Sequence, residues 1–326
     1  MCVYLLVRPF KIGQSFRRSF RSNYDGTIIS SILPPTPIKA DLRAAQFRAA
    51  SDPKRKFAIA HALVKAKIER SLQLLDWLGQ RYDIYREVRI TKHEAARLGN
   101  ACSVAQVRTV EGRVALRYWE AFRKALPEWL DFQGRVTTGH NNNVSDPFNA
   151  ALNYGYGFLE AECRMAINSV GLESSVGFLH DFSDYQTKQS LVYDLQEPFR
   201  WLIDVSVIDA FESRTLDLRD FYFTGDDYRY RFEAEAKQRF IEVLRDQFNS
   251  GIRYRGRLLK WDMVIEQKSN DLGQFLVGKR SSVEFMEPAP QLERQDSREV
   301  RAKILSLSAS QARQFGIGKS TLHYLR

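Results

Sequence analysis

The chain has 326 residues, 44% of them hydrophobic and 12% aromatic, enough to bury a sizeable core in one large domain or two ordinary ones. Lys and Arg outnumber Asp and Glu by 49 to 39, and the resulting net charge of +10 favours a polyanionic partner such as a nucleic acid. Cys2, Cys102 and Cys163 are scattered without a CxxC pair, and no stretch approaches the roughly 20 apolar residues of a membrane span, so neither a disulfide scaffold nor a membrane-spanning segment is expected, and a reducing cytoplasmic setting is.

Residues 1–37 read as a short β-like segment and a linker. Val3–Val7 and Thr27–Leu33 are short runs that suit a pair of strands, with a basic stretch between them. Pro34, Pro35 and Pro37 then hold the chain extended. From residue 38 to about 290 the pattern is helical. Asp41 is a candidate cap for LRAAQFRAA. Asp52-Pro53 is a second start signal, with Asp as cap and Pro at the first helical position. After it Phe57, Ala60, Val64, Ile68, Leu72, Leu75 and Leu78 recur every three or four residues, with Gly79 as the stop. Val114, Tyr118, Phe122 and Leu126 mark another helix, ended by Pro127. GRVTTGHNNNVS (134–145) reads as a loop. Asp146-Pro147 opens a helix that runs to Val170, with Gly171 as a left-handed cap. Further helices are predicted from near Asp194 past Ala210 and over 226–248. Pro288 and Pro290 mark a linker, and residues 291–326 form a helical tail. The fold class is therefore mainly α, with a large helical domain behind a short, incomplete β segment.

Three polar residues stand in apolar surroundings: Glu162 within the helix 147–170, His180 after Val176-Gly177-Phe178-Leu179, and Glu197 after Leu191-Val192-Tyr193. Burying an ionisable group is costly unless it is paired or bound to a metal. One imidazole with two carboxylates suits Mg²⁺ or Mn²⁺, the imidazole leaning towards manganese. Such an ion polarises a phosphate and activates a water or a 3′-hydroxyl. The residues alone leave other readings open. Asp194 and Glu197, three apart before Pro198, also look like a capping box. Glu162 also fits a polar helix face beside Glu160 and Arg164, and His180 also fits a structural histidine.

The wording of the sequence carries more than its spacing. Asp146-Pro147-Phe148-Asn149-Ala150-Ala151-Leu152-Asn153-Tyr154-Gly155-Tyr156 resembles the DPxNAxLNYGY segment of the CRISPR adaptation integrases, the Cas-one family. The resemblance continues through Gly171-Leu172-Glu173, through Val176 to His180, and through SLVYDLQEPFR (190–200). Leu42 to Ala49, Val110-Glu111-Gly112-Arg113, Tyr118-Trp119 and GIGKSTLHYL (316–325) also look like that family. It covers about residues 40 to 326 as several motifs in order.

The resemblance implies a metal-dependent endonuclease and integrase that inserts short DNA fragments into a repeat array by transesterification, with no covalent enzyme intermediate. By motif position its metal ligands and catalytic residues fall on Glu162, His180 and Glu197, with Asp194 as a supporting acid. Glu160 is the fallback for a register shift of two, although it projects about 200° from Glu162. The implied partners are duplex DNA, a second copy of the chain and the Cas-two protein. Arg253, Arg255, Arg257 and Lys260 in RYRGRLLK are candidate contacts to the DNA backbone, or a solvated surface run. Lys319 begins the second helix of a helix-turn-helix-like tail, a DNA reader or a support for the catalytic domain. Tyr154 and Tyr156 either position DNA or pack between helices. Only 37 residues precede the helical domain, fewer than the family's amino-terminal β domain needs, which fits a fragment, a split from a fusion or a divergent member. The competing expectation is a non-catalytic DNA-binding or assembly subunit.

Overall fold

Asp-Pro pairs at 52–53 and 146–147 start the two longest helices among the described residues. The computed structural model describes residues 19–22, 28–32, 39–135, 146–180, 189–225 and 229–286, all within one compact unit, Met1–Pro288. The expected strand at Val3–Val7, the linker near 288–290, and Lys319 with the whole tail lie outside the described residues.

In chain order, β1 (Ser19–Ser22) pairs antiparallel with β2 (Ile28–Ile32). The second strand falls within the expected run, but its partner comes from the basic stretch. The helix α1 (Ala40–Ser51) starts one residue before Asp41, which lies in its first turn while Lys39 takes the cap position. In α2 (Pro53–Leu78) the Asp52 carboxylate accepts from the N–H groups of Lys54 at 2.9 Å and Arg55 at 3.3 Å, the cap that its sequence calls for. The helix α3 (Tyr85–Ala96) packs on α4 (Val104–Ala125), which also packs on α2.

The helix α5 (Pro147–Val170) has the expected caps. Asp146 accepts from the N–H of Asn149 at 2.7 Å, and Gly171 turns left-handed with φ of 90°. The predicted long helix after Asp194 is instead two: α6 (Ser190–Gln196) and α7 (Arg200–Glu212), joined by a 3₁₀ turn over Glu197–Phe199. Pro198 lacks the N–H that an unbroken α-helix needs there. Trp201 to Ile208 of α7 are all buried, so it is a core helix.

The helix expected over 226–248 starts later. A hairpin, β3 (Phe221–Thr224) with β4 (Arg229–Phe232), precedes α8 (Ala234–Asn249). Aromatic and β-branched residues in FYFT and RYRF favour the pleat over the helix. A second hairpin, β5 (Gly251–Tyr254) with β6 (Arg257–Lys260), leads into α9 (Trp261–Leu276). Its two-residue turn, Arg255-Gly256, has φ of 46° and 78°, the mirror-image turn that matches strand twist. The described fold is thus mainly helical, with small antiparallel pairs. Its centre is α5, packed against α6, α7 and α9, with α2 and α4 beyond. Among the described residues no helix is long and apolar enough to cross a membrane.

Candidate metal centre

Glu162, His180 and Glu197 come from three elements: α5, the chain just before residue 181, and the 3₁₀ turn. Asp194 organises the middle one. It is fully buried on α6, and its carboxylate accepts from the backbone N–H groups of Phe178 at 2.5 Å, Leu179 at 3.0 Å and His180 at 2.9 Å. It also faces His180 Nδ1 at 2.7 Å. That anchorage overturns the capping-box reading, because Asp194 lies inside α6 and its oxygens serve the 178–180 backbone instead. With Nδ1 donating to the carboxylate, Nε2 carries the lone pair, the arrangement in which histidines ligate metals.

Gly177 makes this packing possible. A Cβ there would lie 2.8 Å from Ser190 Cβ and 2.9 Å from both Asp194 Oδ2 and the His180 carbonyl oxygen. Only a residue without a side chain lets the chain pass so close to Asp194.

Glu197 is 6% exposed and lies between two cations. Arg200 Nε donates to Oε1 at 3.2 Å, and Lys67 Nζ lies 2.6 Å from Oε2. The lysine contact is a buried ion pair at hydrogen-bonding distance. Burial works against ionisation of Glu197, but Arg200 and then Lys67 outweigh it, and with a smaller contribution from His180 the carboxyl falls to about 2. Burial likewise opposes the charge on Lys67, yet Glu197 and Glu111 raise its pKa.

Glu162 is half-buried on α5. Cys163 beside it senses the surrounding charges: burial raises its thiol pKa first, then Glu162, Glu160 and Glu197 add to the rise, with Arg200 opposing. Glu160 is engaged with Arg164 at 2.5 Å, one turn along the same helix. Among the described residues no three His, Cys, Asp or Glu side chains are close enough as they stand to hold a metal ion. The chemistry of the donors nevertheless fits one: a buried, ionised carboxylate and an imidazole held by its far nitrogen.

A cleft beside Glu197 is lined by Lys67, Glu111, Tyr118, Tyr156, Arg200 and Asp204. Its floor is a buried network in which Tyr118 and Tyr156 donate to Asp204 at 2.6 and 2.5 Å. Burial raises the Asp204 pKa, and the two phenol hydrogen bonds only partly offset it. The Arg200 guanidinium stacks 4.4 Å from the Tyr156 ring centroid. Tyr154 lies edge-on to Phe232, 5.6 Å between centroids, so both tyrosines pack between elements.

The basic candidates divide. Arg253 and Arg257 are exposed on the second hairpin, and Lys260 donates to Asn249 at 2.7 Å. Arg255 is instead bound to the buried Asp271 at 2.5 Å, with Arg280 on the same carboxylate at 2.7 Å. Sequence reasoning did not single out Lys67, Glu111, Arg200 or Asp204. A signal was present for two. Lys67 follows Val64 by three residues, and Glu111 lies between Val107 and Val114, so each puts a charge on an apolar helix face.

A protein-family model described as "CRISPR associated protein Cas1" matches residues 19–246. The chain belongs to the Cas1 family. Among its relatives, CRISPR-associated endonuclease Cas1 1 of Archaeoglobus fulgidus is 29% identical over 285 residues, which cover 81% of this chain and 81% of that one. CRISPR-associated endonuclease Cas1 of Methanopyrus kandleri is 34% identical over 207 residues, 61% and 60% of the two chains. Among solved structures, one described as "Casposase bound to integration product" superposes with a TM-score of 0.79 at 34% identity and covers 89% of this chain and 79% of its own. A Cas1 protein from Thermotoga maritima shares the fold, with a TM-score of 0.66 at 15% identity over 84% and 81% of the two chains.

Proposed function

We propose that this Cas1 chain is a divalent-metal-dependent DNA endonuclease and integrase of CRISPR adaptation, joining the 3′ ends of short DNA duplexes to repeat DNA. The observation that carries the reading is the Asp194–His180 pair beside an ionised Glu197: a buried carboxylate that fixes one face of an imidazole and leaves Nε2 for a ligand. Glu162, His180 Nε2 and Glu197 are the groups that would hold Mg²⁺ or Mn²⁺. Bound there, the ion supplies Lewis acidity to a phosphate and lowers the pKa of a hydroxyl nucleophile.

The protein's own groups do the rest. Asp194 keeps the His180 ring oriented. Arg200 holds Oε1 of Glu197, so the carboxylate presents one defined oxygen. The cations of Arg200 and Lys67 lie at the cleft where a phosphate, itself anionic, would enter. Exposed Arg253 and Arg257, with Lys260, offer backbone contacts away from the centre, and Lys319 is a further candidate. The reaction exchanges one phosphodiester for another, so the side chains need to position and stabilise charge rather than to form a covalent bond.

A duplex DNA substrate is supported by the casposase relative, described as bound to an integration product. A Cas2 partner is supported by structural neighbours described as Cas6-RT-Cas1–Cas2 complexes, which share this fold. Within such an assembly the chain acts as a homodimer in the cytoplasm. The test is strand transfer of a 3′-hydroxyl duplex into repeat-containing DNA, with Mn²⁺ or Mg²⁺ and with chelator. Product that needs the ion and disappears in folded Glu162→Ala, His180→Ala and Glu197→Ala supports the proposal. DNA binding that survives chelator and all three substitutions without turnover overturns it in favour of a non-catalytic DNA-binding or assembly subunit.

A further inference from the structure

We infer that Lys67 is the resident counter-cation of Glu197, and that the site takes up its divalent ion by exchange, Lys67 passing from Glu197 to Glu111 as the ion arrives. The inference rests on the metal site proposed above and concerns how that site is kept ready.

Three elements meet here. Lys67 is on α2, Glu111 on α4 and Glu197 on the 3₁₀ turn, and the three side chains are 17%, 25% and 7% exposed. The Lys67 ammonium already touches both acids: it donates to Glu111 Oε1 and lies 2.6 Å from Glu197 Oε2. The two oxygens of Glu197 are held differently. Oε1 has a directed hydrogen bond from Arg200 at 3.2 Å. Oε2 faces the Lys67 ammonium at 2.6 Å, and that ammonium also serves Glu111. An ammonium shared between two acids can leave one of them and still keep a charged hydrogen-bond partner.

The exchange follows from electrostatics. Without an ion, Glu197 stands buried among other carboxylates, and an unpaired buried charge is strongly destabilising. Arg200 and Lys67 together supply the compensating charge, Arg200 at Oε1 and Lys67 at Oε2. Lys67 is a compact ammonium on a flexible stem, able to shift between neighbours. An ion on Oε2 would face the ammonium at short range, and like charges repel. Glu111, already bonded to Lys67, is where the ammonium settles without being left unpaired. Arg200, fixed on Oε1 and stacked on Tyr156, stays in place. Lys67 is therefore a positioning residue, acting through Glu197.

The experiment is calorimetric titration of Mn²⁺ into the full chain, with thermal melting in chelator beside it. Lys67→Met removes the competing cation, and Mn²⁺ should bind about tenfold tighter than in the native chain. The same variant should melt lower in chelator and regain its stability with Mn²⁺. Glu111→Gln takes away the place to which Lys67 retreats, and Mn²⁺ should bind about tenfold more weakly. Opposite shifts are the signature, since loss of a merely structural network weakens binding in both variants. Equal weakening, or no shift in either, overturns the exchange while leaving the metal site standing. A native chain that binds no Mn²⁺ overturns both. If Lys67→Met is too unstable to titrate, Lys67→Gln takes its place, and the opposite shifts are read between it and Glu111→Gln.

Discussion

The His180 ring nitrogen Nδ1 sits 2.7 Å from Asp194 Oδ1, and the same carboxylate also receives the backbone N–H of His180 at 2.9 Å. One buried acid thus fixes both the position of the residue and the direction of its ring. Asp194→Asn keeps the shape but loses the charge, and its amide offers one acceptor oxygen where the acid offered two. We expect a folded protein whose Mn²⁺ affinity falls about 10- to 100-fold. Asp194→Ala leaves three backbone N–H groups without their acceptor, at about 1–3 kcal/mol each when buried. It should lower the denaturation midpoint more than Asn does, since the Asn amide keeps an acceptor for part of that backbone. Equal stability losses in the two variants would contradict the assigned role.

Two glycines separate packing from site geometry. At Gly155 on α5 an added Cβ would lie 2.4 Å from Ile203 Cγ2 of α7. At Gly177 it would meet Asp194 Oδ2 at 2.9 Å. Both alanine variants should lose about 1–3 kcal/mol of stability through overpacking. Only Gly177→Ala should also weaken Mn²⁺ binding, because only there does the intruding methyl displace the acid behind His180. Calorimetry with chemical denaturation distinguishes the two.

The long helices were legible in the sequence because their start and stop signals are local. Asp52-Pro53, Asp146-Pro147 and Gly171 each act within a few residues, and the backbone obeys them. The break at Pro198 was equally local, yet the apolar run on either side masks it, since a buried core helix has no period to interrupt. The hairpin over Phe221–Phe232 was hidden by charged residues that suit a helix surface as well as a strand edge. At the site, the resemblance supplied Glu162, His180 and Glu197, and the structure explains Asp194. Lys67 and Glu111 lie 44 residues apart, and Lys67 meets both Glu111 and Glu197 only once α2, α4 and the 3₁₀ turn are packed. No local pattern encodes that meeting.

Acid should expose the pairing of Glu197. Its carboxyl is depressed to about 2 from an ordinary 4.5, so the stability that pairing contributes is complete above the ordinary value and is lost as pH falls towards 2. In that window the unfolded chain binds the extra proton, and stability falls with pH by up to about 1.4 kcal/mol per unit for one group. Measured without metal, Glu197→Gln should show a shallower fall between pH 4.5 and 2. An identical slope in the two proteins would exclude this origin of acid sensitivity.

The Tyr118–Asp204–Tyr156 network under the cleft should behave as a support for Arg200. Asp204→Ala strands two buried phenols and should cost about 2–4 kcal/mol. Asp204→Asn retains an acceptor for one phenol and should cost less. Tyr156→Phe removes one hydrogen bond but keeps the ring under Arg200, so metal affinity should stay near native. Thermal melts with Mn²⁺ titrations of the three variants check the order.

The most direct test is the anomalous scattering of Mn²⁺ in crystals of the chain. A single peak within about 2–2.5 Å of the Glu162 carboxylate, His180 Nε2 and Glu197 Oε2 is the predicted result. A peak bound elsewhere, or none at a concentration that supports strand transfer, would contradict the assignment of these three side chains to one ion.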